Sequence, residues 1–188
     1  KIMNRRDAVQ YISLLFGGTL VGANVFLSGC KTNTPTSMTF TEADISFLDE
    51  IADTILPPTK TPGAKAAKVG QFMTVMVNDC YEPKDQKVFH EGIGKLNDFS
   101  QKTFDKDYLK LDPQQRHDLL VKLDTEQKDY MKSKKPEESS HYFRMMKELT
   151  MLGYFTSEIG STQARRYIEA PGKYDGNLPY KKGDKAFA

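Results

Sequence analysis

The sequence predicts an all-α protein, a compact bundle of about five or six helices followed by an irregular C-terminal tail. Apolar residues recur at helical spacing from Ile45 to Phe155, and proline, glycine and capping signals cut that pattern into segments of helix length. No alternation of apolar and polar residues runs longer than four positions, and no internal repeat is present. The length of 188 residues and the 38% hydrophobic content, with 11 Phe and 9 Tyr, suffice for one core. Two cysteines exclude a disulfide scaffold and a four-cysteine metal cluster.

The chain opens with a segment of a different kind. Lys1, Arg5 and Arg6 precede an uncharged stretch over residues 8–30, closed by Leu27-Ser28-Gly29-Cys30. A basic start, an apolar middle and small residues before a cleavage point predict an export signal peptide over residues 1–29. Its end resembles a lipobox, in which the Cys30 thiol is acylated; each buried methylene of an acyl chain adds about 0.8 kcal/mol of membrane affinity. Arg5 and Arg6 also resemble a twin-arginine signal, with Asn4 where Ser or Thr is usual. The competing reading is an uncleaved anchor, because this stretch is long enough to span a bilayer. Residues 30–39 then form the lipidated cysteine and a polar tether, and the helical domain occupies residues 40–188.

Each helix of that domain has its own signals. Thr41-Glu42-Ala43-Asp44 fits a capping box, and Ile45, Leu48, Ile51, Ala52 and Ile55 share one face. Pro57-Pro58 stops this helix, since a proline lacks the donor and its ring clashes with the preceding turn. A second helix is predicted from near Ala64, with Val69, Phe72, Met73, Met76, Val77 and Cys80 on its inner face. A third follows Pro83, with Val88, Phe89, Ile93, Leu96 and Phe99 in a stripe that Gly92 and Gly94 weaken. Asp112-Pro113-Gln114-Gln115 starts a fourth, carrying Leu119, Leu120, Leu123 and Tyr130. After a charged break from Lys132 to Glu138, Ser139 or Ser140 opens the most apolar segment, Tyr142 to Phe155, which Gly153 and Gly160 interrupt or end. A short helix around Thr162 to Ile168 is expected next, and the tail from Ala170 is irregular.

Little in this domain predicts chemistry. His90, His117 and His141 lack the spacing of a helical zinc pair, and are expected as surface or half-buried helix residues. Cys-x-x-Cys-His, the dinucleotide fingerprint, the phosphate loop and the nucleophile elbow do not occur. Asp and Glu are expected on solvated faces beside Lys. Cys80 reads as a small core residue or as half of a disulfide to another chain. Beyond residue 29 there are 24 Lys+Arg against 24 Asp+Glu, and a neutral domain argues against nucleic acid as a partner. No catalytic, metal or cofactor-binding residue is assigned.

Recognition surfaces are better supported. The strip Gly153 to Gly160, with Tyr154, Phe155 and Glu158, reads either as a helix end packed into the core or as an exposed anchor for a partner. The loop of Pro57, Pro58, Thr61, Pro62 and Gly63 is stiff, so ordering it on binding costs little.

The run Ile51-Ala52-Asp53-Thr54-Ile55-Leu56-Pro57-Pro58-Thr59-Lys60-Thr61-Pro62-Gly63-Ala64 and the later segments Leu149 to Gly160 and Pro171 to Gly176 resemble the gluconate 2-dehydrogenase subunit 3 family. The resemblance covers residues 40–176. It implies a small, non-catalytic subunit, and a large partner of the glucose-methanol-choline type that holds FAD and oxidises a sugar or glycoside. It also implies electron transfer from that partner to a cytochrome c, and export of the folded pair by a twin-arginine signal. A lipidated Cys30 departs from the family and would make this subunit a membrane anchor, on the periplasmic side of either bacterial membrane. The alternative is a stand-alone periplasmic helical lipoprotein that binds a small ligand or haem, and a third reading is an enzyme in its own right.

Overall fold

In a computed structural model of the chain, residues 39–170 and 172–188 are described; the predicted signal peptide with Arg5 and Arg6, Cys30 and nearly all of the tether lie outside them. Five α-helices account for most of the described residues: α1 (Glu42–Ile55), α2 (Val69–Cys80), α3 (Pro83–Phe104), α4 (Pro113–Ser133) and α5 (Tyr142–Thr156). A 3₁₀ turn at Tyr108–Lys110 and a π-helical turn at Gly160–Ala164 supplement them. Among the described residues there is no strand, only one isolated bridge between Arg166 and Phe187.

Local chemistry sets the first boundaries. The Thr41 hydroxyl accepts from the N–H of Asp44 (3.2 Å), and the Asp44 carboxylate accepts from the N–H of Thr41 (2.8 Å), the reciprocal box expected there. Asp112 and Gln115 repeat it at the start of α4. The start of α2 differs from expectation. Residues 64–68 form turns instead of helix, and Lys68 takes a left-handed conformation (φ 54°) that breaks the hydrogen-bond ladder. The helix begins one residue later, with the Gly70 N–H donating to the Asp49 carboxylate of α1 at 2.7 Å.

The helix α5 is central and packs against α1, α2, α3 and α4. Its inner face buries Phe143, Met146, Leu149 and Tyr154 against Leu48 and Ile51 of α1, Met73 and Val77 of α2, Phe89 and Leu96 of α3, and Leu119 and Leu123 of α4. Each such side chain contributes roughly 1.5–3 kcal/mol on leaving water. Gly92 does not interrupt α3: a Cβ there would lie 2.5 Å from that of Tyr142, so the glycine admits close approach of α5. Gly153 likewise stays within α5, facing the Phe72 ring.

The cap of α5 also differs. His141, not Ser139 or Ser140, fills that position, with Nδ1 accepting from the Phe143 N–H at 3.2 Å. The Ser139 carbonyl instead accepts from the Tyr130 hydroxyl at 3.1 Å. Cys80 is exposed at the end of α2, which corrects its reading as a core residue. In place of the short helix expected from Thr162 to Ile168, the chain makes the π-helical turn and then runs irregularly, as expected for the tail.

Candidate functional site

The two recognition segments, distant in sequence, meet in space. The Tyr154 hydroxyl on the last turn of α5 donates to the Pro62 carbonyl at 2.8 Å and lies 3.5 Å from Thr61 Oγ1. The loop is closed at its base by the Ala64 N–H donating to the Leu56 carbonyl (2.9 Å) and braced at its tip by Thr59 N–H to the Thr61 carbonyl (2.9 Å). Gly63 is required at the neck, because a Cβ there would sit 2.5 Å from Asp53 Oδ1 and 2.8 Å from the Pro58 nitrogen. Pro57, Pro58, Thr59 and Lys60 are left exposed, Thr61 and Pro62 are half-buried, and Gly63 is buried. The result is a rigid prong held from behind by an aromatic side chain.

Carboxylates of α1 fix the returning chain. The Lys65 N–H donates to Asp53 Oδ1 at 3.3 Å, and Glu50 pairs with both the Lys65 ammonium and the Arg116 guanidinium of α4. Arg116 also donates to the Leu109 carbonyl (2.7 Å) and lies 5.5 Å from the centre of the Tyr108 ring. The hydrogen bond from Lys65, with that from Arg116, outweighs partial burial and holds the Glu50 carboxyl below its ordinary value. Burial has the upper hand at Asp49, whose carboxyl is raised despite the Gly70 N–H. These carboxylates therefore do not all lie on a solvated face: Glu50 and Arg116 keep only 24% and 18% of their side-chain surface and join two helices to the loop. The sequence held one signal for this, carboxylates at positions 49, 50 and 53 directly ahead of the proline loop.

The strip around Tyr154 divides by exposure. Tyr154 is 5% exposed, so it supports the prong and offers little surface of its own. Phe155 is half-buried, with the Arg165 guanidinium 4.7 Å from its ring centre, and Glu158 is exposed. Met151 and Leu152 add exposed apolar surface to the same turns. A Cβ on Gly160 would fall on the Tyr154 carbonyl, which fixes glycine where the chain folds back over the helix end.

The three histidines lie outside this surface. His90 stacks on Phe40 with ring centres 3.8 Å apart, His117 lies beside Asp118, and His141 caps α5. Among the described residues no three His, Cys, Asp or Glu side chains stand close enough to hold a metal ion, and no helix is long and apolar enough to cross a membrane. A cleft of about 230 Å³ beside Cys80 is lined by Tyr81, Glu82, Asp85, Met145 and Glu148. It brings carboxylates together with a thiol.

Residues 42–172 match the family described as gluconate 2-dehydrogenase subunit 3, a span that includes the prong, its carboxylate brace and the whole Tyr154 to Gly160 strip. No curated protein and no solved structure matches the chain.

Proposed function

Because the chain belongs to the gluconate 2-dehydrogenase subunit 3 family, a family of small non-catalytic subunits that implies association with a larger FAD-dependent dehydrogenase subunit, we propose that it is the stabilising escort and membrane anchor of a periplasmic flavoprotein. The observation that carries this reading is the family match, which runs through both halves of the prong-and-strip surface. The large subunit is of the glucose-methanol-choline type, holds the FAD, oxidises a sugar or glycoside and passes electrons to a cytochrome c. The small subunit contributes no reacting group. It supplies a pre-ordered surface, made of Pro57, Pro58 and the half-buried Thr61 and Pro62, together with Phe155 and Glu158.

Rigidity matters to that task. A loop already fixed by three prolines, Gly63 and the Tyr154 hydroxyl loses little conformational freedom on docking, so more of the contact energy appears as affinity. Binding only the folded partner shifts its folding equilibrium by mass action, by about 2.7 kcal/mol when free subunit stands at about 100 times Kd. That is a useful margin for a flavoprotein that crosses a membrane already folded. The Arg5-Arg6 signal directs both chains to export, and acylated Cys30 holds the complex on the membrane.

Co-expression tests this reading. With the small subunit present, the large subunit is expected on the periplasmic side, bound to the membrane, with a flavin spectrum. Omission of the small subunit is expected to leave it in the cytoplasm or degraded. Equal yields of exported, flavin-loaded large subunit with and without this chain would overturn the proposal.

A further inference from the structure

The segment from Arg165 to the last residue differs from the body in charge and in exposure. It carries Arg165, Arg166, Lys173, Lys181, Lys182 and Lys185 against Glu169, Asp175 and Asp184, a net charge of +3. Residues 39–164 hold 17 Lys+Arg and 21 Asp+Glu, a net charge of −4. Yet among the described residues no ion pair joins a tail cation to the body. The tail's large apolar side chains are also left in water: Tyr174 is 95% exposed, Tyr180 76% and Tyr167 55%, with Leu178 and Phe187 close to half.

This tail is nonetheless tied to itself and, at one point, to the body. The Arg166 N–H donates to the Ala186 carbonyl (2.8 Å), the Ala188 N–H donates to the Arg166 carbonyl (3.2 Å), and the Arg166 guanidinium lies 3.9 Å from the centre of the Phe187 ring. Lys185 also donates to the Gln163 carbonyl. The chain between these ties makes an open ring around a hollow of about 760 Å³, lined by Ile168, Lys173, Tyr174, Leu178 and Phe187. A hollow of that size has room for side chains of another molecule.

We propose that this basic, tyrosine-rich tail is a second docking arm, which inserts its tyrosines into an acidic-rimmed apolar groove of the large dehydrogenase subunit. The inference rests on the reading of the chain as a subunit of that complex. Tyrosine and arginine are the residues that most often anchor protein interfaces, and the tail presents both on a backbone tied at its two ends. A net positive arm favours an acidic surface over a basic one. A lipid surface fits less well. The tail is irregular, with turns at Asp175–Leu178 and Lys181–Asp184, so entering the apolar layer would strip water from backbone groups that no helix satisfies. An amphipathic helix, the usual solution at a membrane surface, is not formed here.

The test uses the full chain, tagged and co-expressed with the large subunit, in three forms: wild type, Tyr174→Ser with Tyr180→Ser, and Lys181→Glu with Lys182→Glu. All four positions are exposed, so thermal unfolding of the isolated variants is expected to match wild type. Both variants are expected to capture about tenfold less flavin-containing large subunit than wild type. In the charge-reversed form the remaining binding is expected to lose most of its salt dependence. Capture equal to wild type by both variants overturns the docking arm while leaving the complex intact. Failure of wild type itself to capture a flavoprotein overturns the underlying subunit reading instead. Two further outcomes replace the proposal: loss of binding to vesicles of phosphatidylethanolamine and phosphatidylglycerol in the variants, with capture unchanged, assigns the arm to the membrane. Loss of a concentration-dependent dimer in light scattering, again with capture unchanged, assigns it to a second copy of the chain.

Discussion

Tyr154 shows how a single hydroxyl can set the geometry of a surface it does not itself form. Its ring is buried with the core, and its oxygen reaches the Pro62 carbonyl, joining the end of α5 to the loop after α1. Tyr154→Phe keeps the ring and removes that bond, at a cost of about 1 kcal/mol, or a fall in Tm of roughly 3 °C for a domain of this size. If the prong is the docking surface, the affinity for the large subunit falls further than the stability does. Thermal unfolding and capture measured on the same variant separate the two effects, and unchanged capture would remove Tyr154 from the account. Gly160→Ala is the harsher change, since the added carbon meets the backbone carbonyl of Tyr154 instead of a flexible side chain. It is expected to cost about 2 kcal/mol or more, read as a lower denaturant midpoint. A midpoint equal to wild type would show that the fold-back after α5 is loose.

At the scale of elements, the boundaries legible in the sequence are those whose partners lie within a few residues. Thr41 with Asp44 and Asp112 with Gln115 complete their caps inside one turn, and Pro57-Pro58 ends α1 by its own chemistry. The starts of α2 and α5 were not legible, because each depends on another part of the chain. Asp49 of α1 receives the Gly70 N–H, and the segment just before the His141 cap is held by the Tyr130 hydroxyl of α4 donating to the Ser139 carbonyl. The candidate surface divides the same way. Both of its segments could be named from residue types, but their junction through Tyr154 and Pro62 spans 92 positions and only packing reveals it.

The His141 cap has a pH consequence. Burial lowers its pKa, outweighing the attraction of Glu126, so the folded state binds a proton less readily than the unfolded chain. Stability from this group is therefore complete above the unfolded value of about 6.5 and is lost as pH falls through the lower folded value. The neutral ring is also the form whose Nδ1 can accept from Phe143. His141→Asn keeps an acceptor at the cap without a titrating group, and its unfolding midpoint is expected to change less than that of wild type between about pH 7 and pH 5. Identical slopes for the two proteins would show that His141 does not titrate differently on folding.

The described residues form a helical body with a rigid prong, a partly exposed strip at the end of α5 and a basic tail, and the chain belongs to a family of small dehydrogenase subunits. Its charges are segregated, with the body at −4 and the segment from Arg165 onward at +3. Some of these charges hold shape: Glu50 and Arg116 tie two helices to the loop, and Asp124 links Lys128 and Lys147 across α4 and α5. The most direct measurement is a pull-down of the tagged full-length chain from its native membrane, with an absorbance spectrum and the masses of the eluted chains. The account predicts a flavin spectrum and a co-eluting chain of flavoprotein size in a fixed ratio. A lone, colourless chain under conditions that preserve weak complexes would contradict it.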